Sequence, residues 1–169
     1  MKKICIIGAM NIKHMSLISL YTTYFDKNGI PYDLINLDKY GIDETTTAKN
    51  HFCLKVEQNP KFGKFGKLLS FIKFRLYAIK VIKTNKYDLI ITWQATTAYL
   101  FADYLIRRHK KSYIVNIRDY IIENKPFIRK LLSNLVKNSA FSTISSEGFY
   151  EFLPVGKYIR VNSINEQIL

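Results

Sequence analysis

The sequence predicts an α/β fold, Rossmann-like in class, with an open parallel sheet and helices on both faces. Two observations lead there. Segments of strand character alternate with segments of helical spacing along nearly the whole chain, and that order calls for right-handed crossovers between parallel strands. The strand segments are also continuous apolar runs, such as KICIIG and DLIITW, which suits strands covered on both faces.

The elements follow in order. Residues 3–8 (KICIIG) form the first strand. Helical spacing runs from about residue 14 to residue 28 and stops at Gly29, a C-terminal breaker. Residues 32–38 (YDLINLD) are the second strand. Residues 39–61 are polar and irregular, with a short strand near residues 52–56. A basic helix starts at Lys67 and ends before Asp88, where the next strand (DLIITW, residues 88–93) begins. Residues 95–109 are helical and end in Arg107, Arg108, His109, Lys110 and Lys111, which suits the negative pole of the helix dipole. A strand at 112–117 precedes a helix at 126–138 with Pro126 in its first turn. A short strand (141–145), a short helix (146–153) that Ser145 or Ser146 can cap, and a last strand (157–161) complete the pattern.

A chain of 169 residues, 48% of them hydrophobic, is the size of one domain and can bury a real core. The formal net charge of +13 favours anionic partners: lipid headgroups, phosphorylated substrates or nucleic acid. Two cysteines, Cys5 and Cys53, make no disulfide framework. His51 and Cys53 form an isolated H-x-C with no second ligand pair, which argues against a metal site. The apolar run at residues 4–9 is too short for a secretory signal and reads as a buried strand. No run approaches the roughly 18 apolar residues of a membrane span. The expectation is a cytoplasmic protein, soluble or peripheral on the inner leaflet of the cell membrane.

Residues 60–86 are the most distinctive stretch. They hold Lys61, Lys64, Lys67, Lys73, Arg75, Lys80, Lys83 and Lys86, and no acid. At about 100° per residue, Phe71, Phe74, Tyr77, Ala78, Val81 and Ile82 share one face, enough to cover a sheet. Leu68, Ile72, Leu76 and Ile79 form a second apolar stripe, edged by Arg75, Lys80 and Lys83. One buried face plus one apolar face with a basic rim suggests a helix that packs on its own domain and touches an anionic membrane. The alternative is a helix sandwiched between the sheet and a neighbouring segment, its lysines solvated at the ends of apolar stems. Basic amphipathic patterns also serve nucleic acid, but no nucleic-acid fold signature accompanies this one.

Ligands of open parallel sheets bind beyond the carboxyl ends of the strands. The candidate loops are therefore residues 8–14, 93–97, 118–125 and 145–148. The first contains Gly8 and Asn11 but not G-x-G-x-x-G, which argues against a dinucleotide. Its helix N-terminus can still accept an anion, and Gly8 can equally be a strand-exit turn. Arg118, Asp119 and Glu123 follow a buried strand. Arg118 suits a phosphate and Asp119 a sugar hydroxyl or the role of a base; an ion pair that only shapes the loop is the other reading. Trp93 can stack on a sugar or lipid group or simply pack. Glu147, at a helix start, is explained by the dipole alone.

The order of several motifs resembles the N-terminal half of the GT-B-fold glycosyltransferases that build bacterial capsule and lipopolysaccharide. The motifs are the opening strand to Gly8, YDLIITW (87–93) followed by small residues from Ala95 to Ala98, Ile117-Arg118-Asp119-Tyr120, FSTISSE (141–147), and YIRVNSIN (158–165). The resemblance covers nearly the whole chain. It implies that residues 1–165 form an acceptor-binding domain and 166–169 begin a linker to a second domain or subunit. That partner would hold the nucleotide-sugar donor, and no cofactor is expected in this domain. The implied activity is transfer of a hexose to a lipid-linked or saccharide acceptor, with this chain alone inactive. Asp119 is the implied catalytic residue, and Gly8, Asn11, Trp93, Arg118 and Glu147 the substrate-binding ones. Lys61, Lys64, Lys67, Lys73, Arg75, Lys80 and Lys83 are the implied membrane contacts. The chain departs from the family in three places: the glycine-rich first loop is reduced to Gly8, Arg118 stands where His is usual, and Ser163 where Gly is usual. Two competing readings are a non-catalytic Rossmann-like module that docks on membranes or recruits a catalytic partner, and, ranked last, a nucleic-acid binder.

Overall fold

The computed structural model describes residues 2–15, 17–56, 63–118 and 125–161. They group into two compact units, Met1–Trp93 and Gln94–Leu169. In the first, strands β1 (Ile4–Gly8), β2 (Tyr32–Asp38), β3 (Asn50–Lys55) and β4 (Leu89–Trp93) lie in the order β3-β2-β1-β4, and all three pairings are parallel. Helix α1 (Ile18–Lys27) connects β1 to β2, and α2 (Gly63–Asn85) lies between β3 and β4 in the chain. In the second unit β5 (Tyr113–Ile117), β6 (Phe141–Ile144) and β7 (Tyr158–Arg160) are parallel in that order. They accompany helices α3 (Ala95–Leu100), α4 (Ala102–Arg108) and α5 (Pro126–Asn138). The class is the Rossmann-like parallel α/β fold that the alternation of elements predicts.

The apolar runs of the sequence are the interior strands. All seven residues of β2 and all five of β5 are buried. Several polar side chains in these strands find internal partners, although Asn36 Nδ2 and Asn116 Nδ2 do not. Asp33 accepts hydrogen bonds from the Tyr87 hydroxyl at 2.6 Å and from Asn50 Nδ2 at 2.8 Å. Burial and the bond to Asp33 push the Tyr87 hydroxyl well above its ordinary range. In the second unit the Thr143 hydroxyl donates to Asn116 Oδ1 at 3.0 Å, and the Tyr113 hydroxyl donates to the Leu135 carbonyl at 2.6 Å, tying α5 to β5. A buried polar atom without such a partner costs about 1–3 kcal/mol, so these bonds select the register as much as they add stability.

Several elements differ locally from the sequence reading. The first helix begins later: residues Ile12–His14 form a 3-10 turn and α1 starts at Ile18. Its end is as expected, with Gly29 at φ 60° and the Ile30 N–H reaching back to the Phe25 carbonyl at 2.8 Å. The strand expected at 52–56 is β3, six residues long. Helix 95–109 is two helices that break at Phe101, a fully buried ring whose backbone stands at φ −111°, ψ 10°. The short helix near 146–153 is a 3-10 turn, Glu147–Glu151, with no side-chain cap from Ser146. The basic cluster after α4 divides its roles. Arg107 and Arg108 lie in the last turn of α4, whereas Lys111 Nζ donates to the carbonyls of Lys137 (2.8 Å) and Ser139 (3.0 Å), closing the end of α5.

Candidate functional site

The first loop, read in the sequence as able to accept an anion or as a strand-exit turn, is held by the chain's own carboxylates. Asn11 is fully buried. Its Nδ2 donates to Asp38 Oδ1 at 2.7 Å and to Glu44 Oε2 at 3.2 Å, and its Oδ1 accepts from the Lys39 N–H at 3.0 Å. Glu44 accepts from the backbone N–H groups of Ile12 and Lys13, both at 2.8 Å. The N–H groups of Ile12 and Lys13, in the 3-10 turn that precedes α1, therefore already hold a carboxylate. Asp38 Oδ1 also receives the N–H groups of Tyr40 and Gly41, at 2.8 and 3.0 Å. Burial pushes the Asp38 carboxyl up, but the bonds from Asn11 and from the Tyr40, Gly41 and Ile42 backbones outweigh it and hold it below its ordinary value. Gly8 has a packing reason: a Cβ there would lie 2.1 Å from Met15 Cε, and Met15 is buried. Gly8 and Asn11 thus build a structural knot. Glu44 and Asp38, its other half, were missed in the sequence, because nothing local marks Glu44 as the partner of residues 12 and 13.

Beside this knot a small cavity of about 150 Å³ is lined by Ile42, Asp43, Glu44, His51, Cys53 and Lys55. His51 Nε2 lies 2.7 Å from Asn36 Oδ1, and burial lowers the His51 pKa against the pull of Glu44. Burial raises the Cys53 thiol, so it is a poor nucleophile at neutral pH. Lys55 pairs with Asp43 at 2.6 Å. No group of three or more His, Cys, Asp or Glu among the described residues is arranged to hold a metal ion.

In the second unit, Arg118 follows β5 and is buried. Its carbonyl accepts a long bond, 3.4 Å, from the Ser145 hydroxyl after β6. Asp119 and Glu123 lie outside the described residues. Glu147 is taken by an ion pair with Arg160, both side chains largely solvated. The pairing gives Glu147 an internal partner at the start of the 3-10 turn. Trp93 is fully buried and meets Tyr21 edge-on at 5.2 Å, so packing accounts for it and no ring face is open for a sugar.

Helix α2 carries the two-faced pattern read from the sequence. Phe74 and Ala78 are completely buried, flanked by buried Ser70, Val81 and Ile82. On the opposite side Phe65 is 64% exposed, Leu68 55% and Leu76 65%, with Leu69 and Ile72 also exposed. These five fall within a narrow stripe at about 100° per residue. Lys73 and Lys80 run along one edge, Arg75 along the other, and Lys83 continues the stripe toward the C-terminal end. Lys67 is not part of this rim: it stands on the far side, close enough to Lys39 to add to the burial that lowers the Lys39 pKa. Lys39 Nζ sits 4.5 Å from the centre of the Phe71 ring. Lys61 and the side chain of Lys64 lie outside the described residues. No helix of the described residues is long and apolar enough to cross a membrane.

Gln94, the first residue after β4, is the other feature that sequence inspection missed. Its backbone stands at φ 68°, ψ 150°, a region that essentially only glycine occupies without strain. Holding a side chain there costs about 1–3 kcal/mol.

No protein-family model matches the chain, and no curated protein matches it. A solved structure does share its fold. MurG of Acinetobacter baumannii aligns over 94% of this chain with a TM-score of 0.54 and 12% sequence identity. The alignment takes up 44% of MurG, so the chain spans less than half the length of that structure. At this identity the likeness is one of fold. What the two share is the Rossmann-like parallel α/β architecture.

Proposed function

We propose that this chain is the acceptor-binding part of a glycosyltransferase that acts on a lipid-linked or saccharide acceptor in cell-surface polysaccharide synthesis. A second domain or subunit supplies the nucleotide-sugar donor, and the outer face of α2 rests on the anionic cytoplasmic leaflet. The observation that carries the membrane part is the exposed stripe of Phe65, Leu68, Leu69, Ile72 and Leu76 inside a basic rim. Apolar side chains gain by leaving water, and each basic side chain near an anionic surface contributes about 1 kcal/mol. The likeness in fold to MurG and the motif order support the enzymatic part.

The test is binding to vesicles with and without anionic lipid. The chain is expected to bind only the anionic vesicles, less tightly as salt rises. Changing Lys73, Lys80 and Lys83 together to Glu should weaken this binding by about a hundred-fold or more while the far-UV spectrum stays unchanged. Equal binding to both kinds of vesicle, or to neither, rejects the membrane face. Tighter binding to single-stranded nucleic acid than to lipid would turn the reading toward nucleic acid. Asp119 is the proposed reaction-centre residue. Asp119→Asn in the complete enzyme is expected to lower turnover by about a hundred-fold or more, as for a general base; near-normal turnover rejects that role.

A further inference from the structure

Among the described residues four non-glycines stand at positive φ, namely Leu17, Lys86, Gln94 and Lys111; Gln94, at ψ 150°, carries a long polar side chain and stands just beyond the carboxyl end of β4. Glycine at position 94 would remove the strain and also remove the amide. Packing does not require the amide, since Gln94 is only half-buried while Trp93 and Ala95 on either side are buried. Secondary structure does not use it either. The Gln94 side chain makes no capping bond to α3, and its part in that helix is its backbone carbonyl, which accepts from the Ala98 N–H at 3.3 Å. Among the described residues no hydrogen bond occupies the side chain. Strained backbone at the end of a parallel strand is where ligand contacts gather in this fold class.

We propose that Gln94 is a substrate-binding residue that reads saccharide hydroxyls. The choice of ligand class rests on the acceptor reading above; the choice of residue rests on the backbone. A carboxamide presents an acceptor and two donors side by side, and a pair of neighbouring sugar hydroxyls offers the complementary set. A phosphate would use only the donors, and an apolar lipid chain would use none of them. The twisted backbone sets the direction of the amide, so that it is already in place when the acceptor arrives.

Three variants of the 169-residue chain separate the two roles of position 94. Gln94→Gly is expected to raise the melting temperature by roughly 2–6 °C, because relief of strain outweighs the added freedom of the unfolded chain. Gln94→Ala keeps the Cβ and should show no rise. Both should weaken saccharide binding by about ten-fold or more, and Gln94→Asn, with its shorter reach, should weaken it less. The probes are glucose, galactose and N-acetylglucosamine, each titrated to saturation and followed by amide chemical shifts. Binding retained by both the Gly and Ala variants overturns the proposal while leaving the acceptor reading intact. A melting temperature that does not rise in Gln94→Gly removes the strain on which the assignment stands and overturns it as well. A wild-type chain that binds none of the three sugars overturns the acceptor reading and this assignment together.

Discussion

The knot beyond β1 and β2 and the outer face of α2 were both read from the sequence as places to meet a partner, and the fold treats them in opposite ways. In the knot most groups have an internal partner: Asn11 bridges Asp38 and Glu44, and Glu44 covers the N–H groups of Ile12 and Lys13, while Asp38 Oδ2 is buried without a hydrogen bond among the described residues. On α2, five large apolar side chains point to solvent although the same helix already has a complete buried face. The lesson is about accounting for groups. A polar cluster that satisfies itself is architecture, whereas an apolar stripe that nothing covers among the described residues is a surface still to be explained.

The largest effect that tests this contrast is on the buried face of α2. Phe74→Ala is expected to destabilise the fold by about 3–5 kcal/mol, the cost of a large core cavity, seen as a lower midpoint in urea unfolding. A loss below about 1 kcal/mol would mean that α2 is not packed as described. The knot comes next. Asn11→Ala leaves buried partners unmatched and should cost about 1–3 kcal/mol at neutral pH. It should also make the protein more sensitive to acid, and the sign follows from Asp38. Its carboxyl is held below the ordinary 3.8, so it adds stability above that pH and loses it as pH falls through the depressed folded value. Removing the Asn11 bond lets that folded value rise, so the acid transition should move to higher pH. An unchanged transition would show that the knot does not set the titration of Asp38. The smallest effect belongs to the outer face: Leu76→Ala should alter stability by less than about 0.5 kcal/mol while still weakening binding to anionic vesicles. A large stability loss there would mean that the stripe is covered by the protein itself.

The alternation of elements made the fold legible because burial on both faces of a parallel strand leaves a continuous apolar run, most clearly in β1 and β4. The two faces of α2 were legible for a similar reason, since helical period converts spacing into direction. The candidate site was less so. Glu44 is 32 residues beyond Ile12, and no local pattern announces a bond across that distance. Trp93 looked available because it ends a strand, yet its burial depends on Tyr21, which the chain brings from α1. Glu147 was read from its place at a helix start, and its pairing with Arg160 of β7 could not be seen from local sequence.

Composition and periodicity by themselves determined the class of fold, the order of its strands and helices along the chain, and the basic, two-faced character of α2, because these depend on short-range pattern and on the need to bury apolar surface. Tertiary structure alone decided which polar groups are already matched and which position carries strain. Both depend on contacts between distant residues and on backbone angles, and neither leaves a trace in local spacing. That is why the internal partners of Asn11, Glu147 and Trp93, and the backbone of Gln94, came to light only in the folded chain.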